Sequence, residues 1–244
     1  MISKQQQKYI QSLQIKKYRQ EYQSFLVEGA KSVLELLNSD FLIDKIYVTE
    51  KFAEQIDSKS ISIELATQAE IEKIGTLQSN DSALAIVKMK PNQAIICNDN
   101  EYVLVLDDIR DPGNLGTIIR IADWYGINKI ICSENTVDFY NPKVIASTMG
   151  SFTRIKIWYG DLEKYFNRNN NLPVYGTFIS GENIHKTNFS KNGFIIIGNE
   201  SNGIRPEIEK KVTDKITIPR FGNAESLNAG IATAIVLDNI RRYN

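Results

Sequence analysis

The sequence contains few of the side chains that most often bind metals or act as general bases. Its 244 residues include one histidine, His185, and two cysteines, Cys97 and Cys132. Neither cysteine lies in a Cys-x-x-Cys pattern or at zinc-ligand spacing from the histidine, so we expect two reduced thiols and no metal site. His185 lies in a polar loop with no evident partner to orient it, which favours a surface position over a role as catalytic base.

Long apolar runs and a net charge are also absent. No stretch approaches the roughly 20 apolar residues that cross a bilayer, and the first residues lack the apolar core of a secretory signal. We therefore expect a cytoplasmic protein. The 29 Lys and Arg residues balance the 29 Asp and Glu residues, so the chain as a whole produces no basic field that would attract nucleic acid.

Charge is nevertheless uneven along the chain. Before position 32 the basic side chains outnumber the acidic ones, with Lys4, Lys8, Lys16, Lys17, Arg19 and Lys31 against Glu21 and Glu28. This basic N-terminal segment could contact RNA phosphates, or it could be the solvated surface of a helix. The sequence leaves both interpretations open.

The first 90 residues predict a small α/β domain. Short apolar segments typical of strands lie at 25–28, 44–48, 61–65 and 83–87, with helical periodicity between them. A polar stretch at 91–101, rich in Asn and Asp, predicts a linker. The chain length and the 42% hydrophobic content are sufficient for two cores.

From Tyr102 onward, the pattern predicts a second α/β domain. Near-continuous apolar strands at 102–106, 129–132, 174–179, 194–197 and 215–218 alternate with helical patterns. Such strands are typical of a parallel sheet that helices cover on both faces. The last stretch, from Leu227, is apolar around much of its circumference, which predicts a largely buried helix.

Three strand ends in this second domain carry unusual polar turns. They are Asp111-Pro-Gly-Asn-Leu-Gly with Arg120, Gly198-Asn-Glu-Ser-Asn-Gly203, and Glu225-Ser-Leu-Asn228. Each follows an apolar strand and precedes helical periodicity. In open α/β sheets such ends gather in one crevice, where backbone donors and helix N-termini face a ligand.

In this order, the three segments resemble the motifs of the SpoU/TrmH family of RNA ribose 2'-O-methyltransferases, part of the SPOUT superfamily. The segment Phe25-Leu-Val-Glu-Gly-Ala-Lys-Ser-Val33 resembles the start of the L30e-like substrate-binding domain that many members carry. The resemblance implies an L30e-like α/β domain at 1–90, a linker at 91–101 and a trefoil-knotted parallel-sheet methyltransferase domain at 102–244. It also implies a homodimer with its sites near the subunit interface.

The resemblance further implies roles for individual residues. The implied catalytic residues are Asn114, Arg120, Glu200, Ser226 and Asn228. S-adenosylmethionine would be held largely by main-chain groups at Gly198, Gly203, Ile218 and Leu227. Because a guanidinium normally keeps its proton, we expect Arg120 to orient the ribose hydroxyl and the adjacent phosphate, with action as a true base the alternative.

Most of these residues also have a purely structural interpretation. Asn114 and Ser226 are suited to cap the helices that follow them. Glu200 could cap a local turn, and Ile218 and Leu227 could be core residues at the ends of elements. These alternatives remain open in the sequence.

The chain departs from the family pattern in its third motif. Arg220 follows Ile-Pro, where an apolar residue is common, and Ala229-Gly230 follows Asn228, where Val-Ser is common. Neither change removes a polar residue with an implied chemical role. Arg220 could add a contact to RNA phosphate.

Three functions follow from these observations. The first is transfer of a methyl group from S-adenosylmethionine to a ribose 2'-hydroxyl of structured RNA, with ribosomal RNA favoured by the L30e-like domain and transfer RNA as the alternative. The second is a catalytically silent RNA-binding module, which the retained polar residues disfavour. The third is a dinucleotide-dependent oxidoreductase, suggested by Gly113-Asn-Leu-Gly116 after a strand, but the full Gly-x-Gly-x-x-Gly spacing is missing.

Overall fold

The structure, a computed structural model, describes residues 2–56, 61–169 and 171–242. The chain forms two compact units. The first contains Met1–Pro91 together with Asp138–Thr153, and the second contains Asn92–Val137 and Arg154–Asn244. The segment 138–153 lies within the range predicted for the second domain, yet it packs with the first unit.

The first unit is built on a four-stranded mixed sheet. Its strands are β1 Ser24–Glu28, β2 Ile43–Val48, β3 Ile63–Leu65 and β4 Ala83–Lys88, in the order β1-β4-β2-β3. β4 pairs antiparallel with β1 and β2, and β2 pairs parallel with β3. The helices are α1 Lys4–Ser12, α2 Lys16–Tyr22, α3 Ala30–Leu37, α4 Glu50–Ala53, α5 Gln68–Ile74 and α7 Pro142–Thr148, followed by a 3-10 turn at Ser151–Thr153.

Aromatic packing explains why the segment 138–153 belongs to the first unit. Every residue of β1 is buried. The ring of Phe25 lies 4.6 Å from that of Tyr140 and 6.1 Å from that of Phe152, measured between centroids. Burial of such rings is among the larger favourable contributions in a core. The first unit therefore completes its core with residues from a distant part of the chain.

Arg19 fixes the same segment from another side. Its side chain is 2% exposed, and Nη2 lies 2.6 Å from Oδ2 of Asp138. Nη1 donates to the carbonyls of Leu13 and Gln14 at 2.9 and 2.8 Å. Arg19 is thus a structural residue and does not join the lysines of the basic N-terminal surface, because none of its charge faces solvent.

The second unit contains a six-stranded sheet in the order β10-β8-β9-β5-β6-β7. Its strands are β5 Tyr102–Asp107, β6 Lys129–Ser133, β7 Lys156–Gly160, β8 Val174–Asn183, β9 Gly193–Gly198 and β10 Asp214–Thr217. All five pairings are parallel. The helices are α6 Pro112–Trp124, α8 Leu162–Arg168, α9 Pro206–Glu209 and α10 Ala229–Arg242.

The predicted parallel sheet is confirmed, with one additional strand. β7 is absent from the predicted strands because it is a partly exposed edge strand and lacks a fully apolar sequence. β5 is central and buried at every position. Ile95, inside the range predicted as a linker, belongs to the core cluster that contains Val103 and Phe194.

The last helix, α10, is buried along most of its length. Val236, Leu237 and Ile240 are fully buried, whereas Ile231 is 53% exposed. The prediction of a largely buried helix is confirmed for most of α10, since only Ile231, Arg241 and Arg242 of its 14 residues are exposed. The trefoil knot stays a prediction. Within the described residues, no helix is long and apolar enough to cross a bilayer.

Candidate functional site

The polar turns after β5 and β9 are adjacent at one edge of the sheet. Asp107, the last residue of β5, pairs with Gly198, the last residue of β9. The first turn of α6 follows β5, and the Glu200 turn follows β9. Parallel pairing in register therefore places two of the three motifs side by side, as expected for the carboxyl ends of a parallel sheet.

Asn114 lies in the first turn of α6 and is not its cap. The cap is Asp111, whose Oδ1 accepts a hydrogen bond from the Asn114 amide at 2.8 Å, and Pro112 occupies the first helical position. Proline suits that position because no backbone donor is needed there. The side chain of Asn114 therefore does not cap the helix and instead forms hydrogen bonds with Glu200 and Asn228.

Three side chains from the three motifs form one hydrogen-bonded chain. Asn228 donates from Nδ2 to Oδ1 of Asn114 at 2.8 Å, and Asn114 donates from Nδ2 to Oε1 of Glu200 at 2.5 Å. Each amide uses its nitrogen as donor and its oxygen as acceptor, so the network itself orients both asparagines. The structure thereby joins Asn114, Glu200 and Asn228.

Asn228 also begins the last helix. Its Oδ1 accepts from the amides of Gly230 and Ile231 at 2.9 and 3.3 Å, and its carbonyl accepts from Ala232. The interpretation of Ser226 as the cap of this helix is wrong. Because the oxygen of Asn228 is occupied by the helix, its nitrogen remains available to Asn114.

The Glu200 turn is closed by its own backbone. Asn199 and Gly203 exchange two backbone hydrogen bonds of 3.0 and 2.8 Å, and Oδ1 of Asn199 accepts from the amides of Ser201 and Asn202. Nδ2 of Asn199 donates to the carbonyl of Asp108 at 2.9 Å. These bonds attach the turn to the end of β5 and hold Glu200 near Asn114.

Gly198 and Gly203 are each needed in this turn for a different structural reason. A Cβ on Gly198 would lie 2.3 Å from the carbonyl carbon of Gly203, so the turn can close only if position 198 has no side chain. Gly203 has φ of +67°, a conformation that strongly favours glycine. A Cβ on Gly203 would meet no atom within 4 Å, so its backbone faces open space.

An ion pair between Asp107 and Arg205 supports the turn and was not predicted from the sequence. Asp107 is fully buried, and its two carboxylate oxygens accept from the backbone amide and Nε of Arg205, both at 2.8 Å. Burial alone would lower the pKa of Arg205, but the hydrogen bond and charge of Asp107 outweigh burial and raise that pKa. The available sequence signal was two successive carboxylates, Asp107 and Asp108, at the end of a buried strand.

Arg120 and Ser226 are outside the hydrogen-bonded network. Both are exposed, and neither side chain has a hydrogen bond or ion pair with a described residue. Arg120 lies on the solvent side of α6. Ile218 is half-buried, and Leu227 is 45% exposed, so Leu227 does not fit the alternative of a core residue.

The cysteines and the histidine contribute no reactive group to this site. Burial raises the pKa of both thiols, Cys97 and Cys132, which disfavours the reactive thiolate. His185 is exposed, and its Nδ1 lies 2.9 Å from Oδ1 of Asn239. Within the described ranges, no group of three or more His, Cys, Asp or Glu residues is placed to hold a metal ion.

Comparison with known proteins matches the chain to two families. Residues 101–238 match the SpoU rRNA methylase family, and residues 4–85 match the MRM3-like substrate binding domain. The chain is 30% identical over 241 residues to the 23S rRNA (guanosine(2553)-2'-O)-methyltransferase RlmP of Bacillus subtilis, covering 94% of this chain and 93% of that protein. It is 28% identical over 201 residues to the 23S rRNA (guanosine-2'-O-)-methyltransferase RlmB of Acinetobacter baylyi, covering 77% of this chain and 81% of that protein.

Solved structures give the same result. A TrmH-family protein from Porphyromonas gingivalis has a TM-score of 0.91 at 30% identity and covers 100% of both chains. An AdoMet-bound rRNA methyltransferase from Sinorhizobium meliloti has a TM-score of 0.89 at 30% identity, covering 100% of this chain and 97% of that one. The resemblance of the three motifs is confirmed by a match over more than half of the sequence, and the chain belongs to the SpoU rRNA methylase family.

Proposed function

We propose that this protein transfers a methyl group from S-adenosylmethionine to a ribose 2'-hydroxyl of ribosomal RNA. The main support in the structure is the side-chain network of Asn114, Glu200 and Asn228, which joins three separate motifs. A network that orients polar groups beside a glycine turn suits a reaction that depends on positioning. The relatives RlmP and RlmB are named for this reaction on 23S rRNA.

The backbone near these residues fits the cofactor. Gly203 faces open space, since a Cβ on it would meet no atom within 4 Å. Residues 221–228 are all exposed, which leaves their main-chain groups accessible to a ligand. Bound S-adenosylmethionine would supply a methyl group activated by a positively charged sulfur. Its contacts would be main-chain groups at Gly198, Gly203, Ile218 and Leu227.

The polar residues would hold the site and the nucleophile in place. Glu200 fixes the amide of Asn114, and Asn228 connects it to the start of α10. Arg120 has no partner among the described residues, so its guanidinium is available to an RNA phosphate and to the ribose hydroxyl. The hydroxyl proton would leave to solvent while the Arg120 cation stabilises the developing negative charge on oxygen. Ser226 would contact the substrate or cofactor from the exposed stretch before α10.

Ribosomal RNA is favoured over transfer RNA by the extent of the matches. RlmP aligns with 94% of this chain, which includes the substrate-binding domain. The tRNA (guanosine(18)-2'-O)-methyltransferase of Aquifex aeolicus aligns with 58% of this chain at 28% identity. Because this alignment covers less of the chain, transfer RNA is the alternative substrate, and the experiment below distinguishes the two. We place this activity in the cytoplasm, because RlmP and RlmB are bacterial proteins and bacterial ribosomes assemble there.

The domain roles are part of the same proposal. Residues 1–90 would bind RNA, residues 91–101 would connect the domains, and residues 102–244 would form the knotted methyltransferase domain. The segment 138–153 is the exception within that range, because it packs in the first unit.

A homodimer is supported by apolar side chains exposed on α6, on α10 and just before α10. The two helices pack side by side, with Gly230 near Thr117 and Tyr125 near Asp238. Trp124, Leu227 and Ile231 are 84%, 45% and 53% exposed. Large exposed apolar side chains often mark protein interfaces. A second copy of this chain would cover them, and the partner would then lie near Arg120.

The proposed activity can be tested with labelled S-adenosylmethionine and unmodified ribosomal or transfer RNA. Because 2'-O-methylation blocks attack on the adjacent phosphate, labelled product should resist alkaline hydrolysis. We expect label in ribosomal RNA and its loss in Asn228→Ala and Arg120→Ala, while Asn188→Ala, at an exposed site, retains activity. Label confined to transfer RNA would show that the substrate is transfer RNA and not ribosomal RNA. Tight RNA binding without transfer would instead support the catalytically silent module.

A further inference from the structure

Three tyrosines form a connected cluster at the N-terminal end of the first unit. The Tyr9 ring is 5.1 Å from Tyr22 in an edge arrangement, and Tyr18 is 6.3 Å from Tyr22 with an interplanar angle of 14°. We call Tyr9, Tyr18 and Tyr22 the tyrosine platform. Tyr22 is 42% exposed, and Ile15, one turn before Tyr18, is 54% exposed. The platform therefore presents aromatic and aliphatic surface to solvent.

Four lysines lie on the same two helices as the platform. Lys4, Lys8, Lys16 and Lys17 are exposed, and none has an ion pair with a described residue. Nζ of Lys17 lies 5.8 Å from the centroid of Tyr18. Glu21 is the acidic neighbour on α2. The surface thus combines the exposed ring of Tyr22 and the half-buried rings of Tyr9 and Tyr18 with uncompensated positive charge, although the whole chain is neutral.

The platform stands on a rigid support. Arg19 faces the interior of the same helix and binds two carbonyls of the α1–α2 connection as well as Asp138. At the start of α1, Ser3 and Gln6 form reciprocal capping bonds. These contacts hold Arg19 and the α1–α2 connection in place before any ligand binds, so binding would cost little conformational entropy.

We propose that the tyrosine platform binds an unpaired segment of RNA, with a base stacked on Tyr22 and the neighbouring phosphates at Lys16 and Lys17. Exposed aromatic rings beside a basic surface are the combination that binds single-stranded nucleic acid. A protein partner of acidic character would use the lysines but would gain less from a ring aligned for stacking. A duplex would use the phosphate contacts alone, because its bases are not free to stack on protein.

This inference rests on the proposed RNA substrate, but its test does not require methyl transfer. The probe is a fluorescein-labelled 12-nucleotide RNA without self-complementarity, titrated with the full chain and followed by anisotropy. We expect Tyr22→Ala to weaken binding by about 5- to 100-fold, the effect typical of losing one stacked base. Tyr22→Phe keeps the ring and should bind as the wild type does. Leu42→Ala, at an apolar side chain of the first unit that is 74% exposed against 42% for Tyr22, is the control.

The contribution of the lysine charges to RNA binding is measured separately, from the salt dependence of the affinity. The double variant Lys16→Gln/Lys17→Gln should reduce the slope of log Kd against log salt by about 1.4, from about 0.7 for each phosphate contact to a single strand. Lys51→Gln, an exposed lysine on α4, should leave the slope unchanged. A blunt duplex of the same sequence should bind more weakly and show no dependence on Tyr22.

A cross-linking experiment keeps the proposal testable if Tyr22→Ala fails to fold. Wild-type protein irradiated with the same RNA carrying 5-iodouracil should cross-link in the peptide that contains Tyr18 and Tyr22. Cross-links confined to other peptides, wild-type affinity in a folded Tyr22→Ala variant, or no RNA binding at all would each overturn the proposal. If binding and cross-links are as expected but no methyl transfer occurs, the platform stands and the proposed activity fails.

Discussion

Asn114 donates a hydrogen bond to Glu200 across 86 residues of sequence. The two residues come from different strand ends, and the parallel pairing of β5 with β9 places them together. Asn228 completes the contact from a third segment. The candidate site is thus held by a polar network in which each amide has a defined orientation.

Replacing Asn114 by Asp should break the bond to Glu200 with little change in size. The new carboxylate cannot donate to Glu200 and repels it, so we expect methyl transfer to fall by about 100-fold, the scale of a misplaced reacting group. Single-turnover transfer of labelled methyl to RNA measures this loss. Asn188→Asp, at an exposed position, is the matched control and should retain activity. Wild-type rates for Asn114→Asp in a folded protein would contradict the role of the network.

Arg120 should matter for activity and not for stability. Its side chain is exposed and contacts no described partner, so Arg120→Ala should change the free energy of unfolding by less than about 0.5 kcal/mol. We expect its transfer rate to fall by about 100- to 1000-fold, as when one donor to a developing charge is removed. Arg120→Lys should recover part of the rate. Arg154→Ala, which removes an exposed ion pair with Asp123, tests whether any surface arginine has this effect.

Gly198 and Gly222 provide a matched pair for the glycine turn. A Cβ at position 198 would lie 2.4 Å from the amide nitrogen of Ile204, whereas a Cβ at position 222 would meet nothing within 4 Å. Gly198→Ala should displace the turn and weaken binding of S-adenosylmethionine, which calorimetry measures. Gly222→Ala should bind nearly as the wild type does. Equal affinities in the two variants would argue against cofactor contacts at the 198–203 turn.

The exposed surface of α6 and α10 predicts a dimer that depends on Trp124. Sedimentation velocity should find the wild type as a dimer at micromolar concentration and Trp124→Asp as a monomer, because a charge would be buried without a partner. Ile179→Asp is the control, since Ile179 is 75% exposed on β8. A monomeric wild type under assay conditions would contradict the homodimer.

The buried ion pair of the first unit predicts a large loss of stability. In Asp138→Ala the guanidinium of Arg19, 2% exposed, would lose its carboxylate partner. Removing one member of a buried pair typically costs about 3–5 kcal/mol. Urea unfolding followed by circular dichroism measures the change. Asp40→Ala is the control, because it breaks an ion pair with Lys90 that is accessible to solvent. It should lower the free energy of unfolding by about 1 kcal/mol or less. Equal losses of stability in the two variants would show that burial of the ion pair is not the cause.

Helix caps show where the sequence was informative and where it was not. Asn114 and Ser226 lie near the predicted starts of two helices and are residue types suited to capping. In the structure, the caps of these helices are Asp111 and Asn228. Cap choice depends on where the preceding strand ends and on which side chain can turn back to the first amides. A local pattern contains several candidates for each helix, and the backbone geometry selects one of them.

The sequence by itself determined the parallel sheet and the three polar motifs, because apolar periodicity and turn residues act locally. Only the tertiary structure decided that Asn114, Glu200 and Asn228 share one network while Arg120 remains exposed. It also decided that the segment 138–153 packs in the first unit. The reason is physical: contacts between distant segments depend on strand order and on which faces find neighbours, and neither is encoded in a short stretch of residues.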